Sequence, residues 1–112
     1  MAEEFDPTHY DFYVVAATGD IPPGERLFLE MGDLAVVIFN IAGKLFAIGD
    51  VCTHDGGPLG DGELDGYQVI CPRHGARFDV RNGVALTLPA VQDTPHFPVR
   101  VNGDEIELGV PI

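Results

Sequence analysis

Residues 52–75 read CTHDGGPLGDGELDGYQVICPRHG. This segment opens with Cys52-Thr53-His54 and closes with Cys71-Pro72-Arg73-His74, so that 16 residues separate the first histidine from the second cysteine. It contains both cysteines of the chain and two of its four histidines. Thiolates and imidazoles are ligands of transition metals. Two loops that each carry one of both kinds therefore predict a site with four metal ligands.

The acidic composition of the 112-residue chain limits its possible functions. Eighteen acidic residues against six basic ones give a net charge of −12, which opposes binding to nucleic-acid phosphates. The same charge favours solubility and would speed association with basic partner surfaces. No apolar run reaches the roughly 20 residues of a membrane span, and the acidic N-terminus lacks the pattern of a signal peptide. We expect a single cytoplasmic domain, residues 1–112, that binds neither nucleic acid nor membranes.

Glycine and proline interrupt the chain at short intervals, and this predicts short strands rather than helices. Residues 34–41 form a nearly continuous β-branched and aromatic run, which is typical of a strand buried on both faces. Asp65-Gly66 predicts a hairpin between residues 62–64 and 67–70. Residues 86–98, with three prolines, are predicted to be irregular. The fold class is therefore all-β, with further strands predicted at residues 12–16, 26–31, 44–48, 78–80, 84–85, 99–101 and 106–108.

Two metal centres suit two thiolates and two imidazoles. One is a structural, tetrahedral Cys2His2 zinc ion, and the other is a [2Fe–2S] cluster with two cysteines on one iron and two histidines on the other. Zinc ligands of a pair usually stand two to four residues apart, whereas one residue separates Cys52 from His54. Mixed pairs favour the cluster, because each loop can then contact both irons. We also expect the backbone N–H groups of Gly56, Gly57 and Gly75 to approach the bridging sulfides, since no Cβ intervenes.

The combined motifs resemble those of the Rieske [2Fe–2S] family. Similar flanking segments extend the resemblance over nearly the whole chain, and it is closest to the small Rieske ferredoxins of bacterial ring-hydroxylating dioxygenase systems. The segments that carry it are Cys52-Thr53-His54, Gly57-Pro58-Leu59, Cys71-Pro72, His74-Gly75 and Phe78-Asp79.

This resemblance implies stacked antiparallel sheets, with a small cluster-binding subdomain inserted at about residues 50–90. It implies one Rieske-type cluster whose inner iron is bound by Cys52 and Cys71. It assigns the outer, more exposed iron to His54 and His74. The residues that it places around the cluster are Gly57, Gly75 and Pro89.

The chain departs from the Rieske proteins of quinol-oxidising respiratory complexes. Those proteins carry an extra cysteine in each ligand loop, joined as a disulfide, and Ser and Tyr donors beside the cluster. Here Ala76 and Phe78 stand at the donor positions, and neither side chain can donate a hydrogen bond to sulfur. Fewer donors destabilise the reduced, more negative cluster. We therefore expect a potential near the low end of the Rieske range of roughly −150 to +300 mV.

The resemblance and the low potential predict a one-electron carrier and not an enzyme. A flavin-dependent ferredoxin reductase would supply the electron, and a terminal oxygenase would receive it, through transient contacts with basic docking surfaces. An oxygenase subunit would need a second iron site, but beyond the cluster ligands only His9 and His96 remain, and we expect both at the surface. The alternatives are a Rieske subunit of another oxidoreductase, such as the small subunit of nitrite reductase, a redox sensor, or the structural zinc module.

Charge is distributed unevenly around the two loops. Three of the six basic residues lie at positions 73–81, in the second loop or just after it, and the first loop is surrounded by acids only. The simple interpretation is solvated loop charge. A functional interpretation is that Arg73 stabilises the reduced cluster and shapes docking. The acids are Asp50, Asp55, Asp61, Glu63 and Asp65, and the bases are Arg73, Arg77 and Arg81.

Overall fold

The computed structural model describes residues 6–53, 56–73, 75–88 and 92–112. Within these ranges the chain forms ten β-strands and two short 3₁₀ turns, at Pro7–His9 and Thr18–Asp20. All strand pairs are antiparallel, and the all-β prediction is confirmed. The strands are β1 Tyr10–Ala17, β2 Arg26–Met31, β3 Leu34–Ile41, β4 Lys44–Gly49, β5 Leu64–Asp65, β6 Gln68–Ile70, β7 Arg77–Asp79, β8 His96–Phe97, β9 Val99–Asn102 and β10 Glu105–Pro111.

Three sheets divide these strands. The first has the order β1-β10-β9, the second β2-β3-β4-β8 and the third β5-β6-β7. Although β4 and β8 are neighbours in the second sheet, the 46 residues numbered 50–95 lie between them in the chain. This stretch contains the third sheet and both cysteines. The chain therefore leaves the second sheet to build the cysteine-bearing part and then returns to it.

Strand β3 contributes side chains to both apolar cores. Its successive side chains point to opposite faces of the sheet, and residues 36–40 are all buried. Val36 and Ile38 belong to a base core between the first two sheets, and Val37 and Phe39 belong to a cysteine-side core. The prediction of a strand buried on both faces is confirmed. The base core also contains Ile21, Ala47, Phe97, Ile106 and Leu108, and the cysteine-side core contains Ile48, Cys52, Leu59, Val69, Cys71, Ala76, Phe78 and Val80.

The predicted irregular segment at residues 86–98 differs from the structure at its C-terminal end. There His96–Phe97 form β8, which pairs with Ile48 and Ala47 of β4. A two-residue strand next to prolines shows no alternation in the sequence, and only its pairing with β4 defines it. His96, expected at the surface, is half-buried in this strand. His9 is exposed, as expected.

No helix in the described ranges has the length and apolar character needed to cross a membrane.

Candidate metal centre

The two cysteine loops share one pattern of backbone hydrogen bonds. In each loop the cysteine N–H donates to the carbonyl oxygen five residues later, and the N–H four residues later donates back to the cysteine carbonyl. The N···O distances are 2.7 and 2.7 Å in the first loop and 2.7 and 3.0 Å in the second. Both thiols are therefore presented by the same local fold. The residues that take part are Cys52, Gly56 and Gly57 in the first loop and Cys71, Gly75 and Ala76 in the second.

Gly56 and Gly75 occupy equivalent positions in this pattern. Both have a φ angle of 75°, which a residue without Cβ adopts at little cost. Each of their N–H groups donates to a cysteine carbonyl, and the approach of these groups to bridging sulfides stays a prediction. Glycine is needed at these two positions for the turn of the backbone.

The cysteines themselves are buried. Cys52 and Cys71 are 0% and 1% exposed, and neither forms a disulfide. Ala76 and Phe78 lie beside them in the same core and are fully buried. Buried thiols that are held by matching loops fit thiolate ligands of a metal centre, because a thiolate in an apolar core needs a cation to compensate its charge. The surrounding apolar side chains supply no donor to sulfur.

Asp50 ties the first loop to the second sheet. Its Oδ1 accepts hydrogen bonds from the backbone N–H groups of Leu59, at 3.0 Å, and Gly60, at 2.6 Å. Its own N–H donates to the carbonyl oxygen of Ala35 in β3, at 2.9 Å. From the sequence, Asp50 was interpreted as one of several solvated loop charges. That interpretation is wrong for this residue. An acidic residue that follows a buried strand and precedes a glycine-rich loop is the only signal of this role in the sequence.

Arg26 holds the same turn from the other side. Its Nη1 donates to the carbonyl oxygens of Gly60 and Gly62, the latter at 2.6 Å. Its guanidinium carbon lies 5.0 Å from the centre of the Phe39 ring, within the range of a cation–π contact. Sequence reasoning missed this residue, because its first acceptor lies 34 positions later in the chain.

The turn after β7 is held by an ion pair between Arg81 and Asp79. The Arg81 guanidinium donates to Asp79 from Nε, at 3.0 Å, and from Nη2, at 2.8 Å. These bonds hold the pKa of the Asp79 carboxyl below its ordinary value. Arg81 also lies 4.4 Å from the centre of the Tyr67 ring, and Tyr67 meets Phe46 of β4 edge to face at 5.8 Å. The stack connects the third sheet with the second.

Four of the seven predicted site residues lie in the described ranges. Cys52, Gly57, Cys71 and Gly75 form the paired loops, whereas His54, His74 and Pro89 lie outside the described residues. In the part of the chain that is described, no three His, Cys, Asp or Glu side chains converge as a metal site. The four-ligand set therefore stays a prediction.

The first loop is joined to a later part of the chain by Thr53, whose hydroxyl donates to the carbonyl oxygen of Gln92 at 2.5 Å.

Comparison with known proteins agrees with this arrangement of sheets and loops. The family model for the Rieske [2Fe–2S] domain matches residues 11–98. The chain belongs to the Rieske [2Fe–2S] domain family. The cofactor of this Rieske domain is a [2Fe–2S] cluster, as the sequence predicted.

Relatives of this Rieske domain include named dioxygenase components. The ferredoxin component of biphenyl 2,3-dioxygenase from Rhodococcus jostii (strain RHA1) is 37% identical over 92 residues, which cover 82% of this chain and 86% of the relative. The ferredoxin of carbazole 1,9a-dioxygenase from Nocardioides aromaticivorans IC177 superposes with a TM-score of 0.82 at 29% identity, over 90% of this chain and 98% of that one. A chain in a complex of reduced oxygenase and oxidized ferredoxin in carbazole 1,9a-dioxygenase gives a TM-score of 0.81 at 28% identity, over 87% and 91% of the two chains.

Proposed function

We propose that the protein is the ferredoxin of a multicomponent oxygenase system and carries one electron at a time from a flavin-dependent reductase to a terminal oxygenase. The observation that carries this proposal is the 37% identity to a dioxygenase ferredoxin component over most of both chains. The protein transfers electrons and does not itself act on the oxygenase substrate. We also propose a single domain, residues 1–112, with the cluster-binding subdomain at about residues 50–90.

Cys52 and Cys71 are the ligands that we assign to the inner iron. Their burial and their matching loops support this assignment. His54 and His74 follow them by two and three residues, and we assign these imidazoles to the outer iron. When bound, the cluster supplies a centre that takes up and releases one electron. Gly57, Gly75 and Pro89 are the residues that we place around it.

Exposed apolar side chains next to the loops favour a docking role. Val51, which precedes the first ligand, is 37% exposed, and Leu86 and Leu88 are 43% and 77% exposed. The N–H of Leu86 donates to the carbonyl oxygen of Arg77 in β7, and this bond holds the apolar segment beside the second loop. Small apolar areas surrounded by charge are typical of transient interfaces. The net charge of −12 would steer the protein toward basic partner surfaces.

A cytoplasmic location fits the cysteine chemistry. Neither cysteine forms a disulfide, as is usual for proteins in a reducing compartment. We therefore place the carrier and its two partners in the cytoplasm.

Reconstitution with purified partners tests the proposed function. The reductase and the oxygenase encoded near this protein are mixed with and without it, and substrate oxidation is followed at low and high ionic strength. We expect oxidation to require the holoprotein and its rate to fall as salt screens the acidic surface. The Cys71→Ser variant, which lacks one proposed ligand, is the matched control and should not support turnover. Equal turnover with and without the protein would disprove the carrier role.

A further inference from the structure

Arg73 connects the two ligand loops. Its Nη2 lies 3.5 Å from the Sγ atom of Cys71, within the range of a hydrogen bond to sulfur. Its guanidinium also covers Gly57 in the first loop. A methyl group at Gly57 would lie 2.7 Å from Cζ, 2.8 Å from Nη2 and 3.0 Å from Nε of Arg73. The side chain therefore occupies the space that a Cβ would fill.

The backbone of the first loop does not explain why residue 57 is glycine. Gly56 has a positive φ angle, whereas Gly57 does not. The equivalent position of the second loop, five residues after the cysteine, holds Ala76 in the same hydrogen-bonding pattern. A Cβ is thus compatible with this position in the loop. The close approach of Arg73 accounts for the glycine at position 57.

The charge of Arg73 has a direct electrostatic consequence for a thiolate ligand. A guanidinium is charged at every pH at which the protein is folded. Reduction adds one negative charge to the cluster, so a cation beside a ligand sulfur stabilises the reduced state. Arg77 pairs with Asp65 and Arg81 pairs with Asp79. Of these three arginines, Arg73 is the one for which the structure gives a contact with a cysteine.

We propose that Arg73 is a positioning residue that raises the reduction potential of the bound cluster, and that Gly57 is glycine because it leaves room for the Arg73 guanidinium. This inference rests on the proposed role of Cys71 as an iron ligand. It deepens the carrier function, because the potential decides whether the protein can accept an electron from its reductase. Arg73 itself is exposed, so salt should weaken its effect.

Spectroelectrochemical titration of the holoprotein tests the proposal with the variants R73Q, G57A and the double variant. R73Q removes the charge, whereas G57A keeps it and displaces the guanidinium. We expect R73Q to lower the equilibrium constant for reduction about three- to tenfold at low ionic strength, where tenfold corresponds to 59 mV for one electron. G57A should lower it in the same direction, and adding G57A to R73Q should have little further effect. Arg77→Gln, which removes a nearby charge paired with a carboxylate, is the control and should change the constant less than twofold.

Three results would overturn the proposal. One is an unchanged potential in R73Q, and another is an equal effect of G57A with and without Arg73. The third is a shift in R73Q that is the same in low and high salt, because a structural change would not be screened. If R73Q does not retain iron, G57A and its salt dependence decide the question. A wild-type protein without iron and sulfide would instead refute the proposed function, so the two failures are distinguishable.

Discussion

Replacing Asp50 by alanine would remove the acceptor that holds the end of the first ligand loop. Asp50 Oδ1 accepts two backbone N–H groups, at 3.0 and 2.6 Å, and alanine leaves both without this partner. A hydrogen bond to a charged group contributes about 1.5–3 kcal/mol, and water can replace part of that at a half-buried site. We expect the Asp50→Ala variant to lose about 2–3 kcal/mol of unfolding free energy.

The decay of the visible absorption band in urea measures this loss on the oxidised holoprotein under anaerobic conditions. Loss of the cluster makes unfolding irreversible, so a half-life is the appropriate quantity. If the lost energy is expressed in the unfolding rate, about 2–3 kcal/mol shortens the half-life about 30- to 150-fold. Asp50→Asn keeps an oxygen acceptor but loses the charge, and it should shorten the half-life only about 5- to 13-fold, because charged hydrogen bonds are about twice as strong as neutral ones.

Asp61→Ala is the matched control for this prediction. Asp61 is an exposed acid in the same turn, directly after Gly60. Its removal takes away the same charge but no hydrogen bond in which Asp50 takes part, so the half-life should stay within about twofold of wild type. If Asp50→Ala and Asp61→Ala decayed at the same rate, the bonds of Asp50 would not be what holds the loop.

Three further predictions concern the surroundings of the loops. A methyl group at Gly62 would lie 1.8 Å from a carbonyl oxygen of β6, so Gly62→Ala should yield no soluble holoprotein. The control Gly66→Ala, at φ 62° with open space around it, should lower the free energy of unfolding by only about 1 kcal/mol. Equal yields of the two variants would contradict this prediction. Arg81 lowers the folded-state pKa of Asp79 below its unfolded value, so the stabilisation from this pair is complete above the unfolded pKa and is lost as pH falls through the folded pKa. The difference in cluster half-life between wild type and Asp79→Asn should therefore be constant above about pH 5 and shrink below about pH 4. A difference that grows as the pH falls would refute this prediction. Arg26→Met keeps an apolar stem but loses two hydrogen bonds to loop carbonyls, so it should cost about 1–2 kcal/mol and shorten the half-life, whereas a wild-type half-life would show that those bonds contribute nothing.

The parts of the fold that sequence reasoning found carry local signals. The apolar run of β3 and the Asp65-Gly66 turn each lie within a few neighbouring residues, and both elements occur in the structure. Strand β8 was missed because two residues cannot display a period, and its identity depends on pairing with β4, about 50 residues earlier in the chain. Pairing between strands that are distant in the chain depends on the assembled sheet and leaves no local pattern in the sequence.

The site shows the same division between local and distant information. The types and spacing of Cys52 and Cys71 predicted a metal centre, because ligand chemistry depends on residue identity. The sequence could not show that Gly56 serves the backbone turn while Gly57 makes room for Arg73, because the residue type is glycine in both cases. These functions depend on φ angles and on contacts between two separate loops.

The central claim is that four mixed ligands hold one Rieske-type cluster that carries a single electron. Low-temperature EPR of the dithionite-reduced holoprotein, with the spin count compared with iron and sulfide content, tests it most directly. We expect two irons, two sulfides and one unpaired electron per chain, with an average g value clearly below that of an all-cysteine [2Fe–2S] cluster, because two ligands of the reduced site are imidazoles. A colourless protein with one zinc ion per chain, or a signal of the all-cysteine type, would contradict the account.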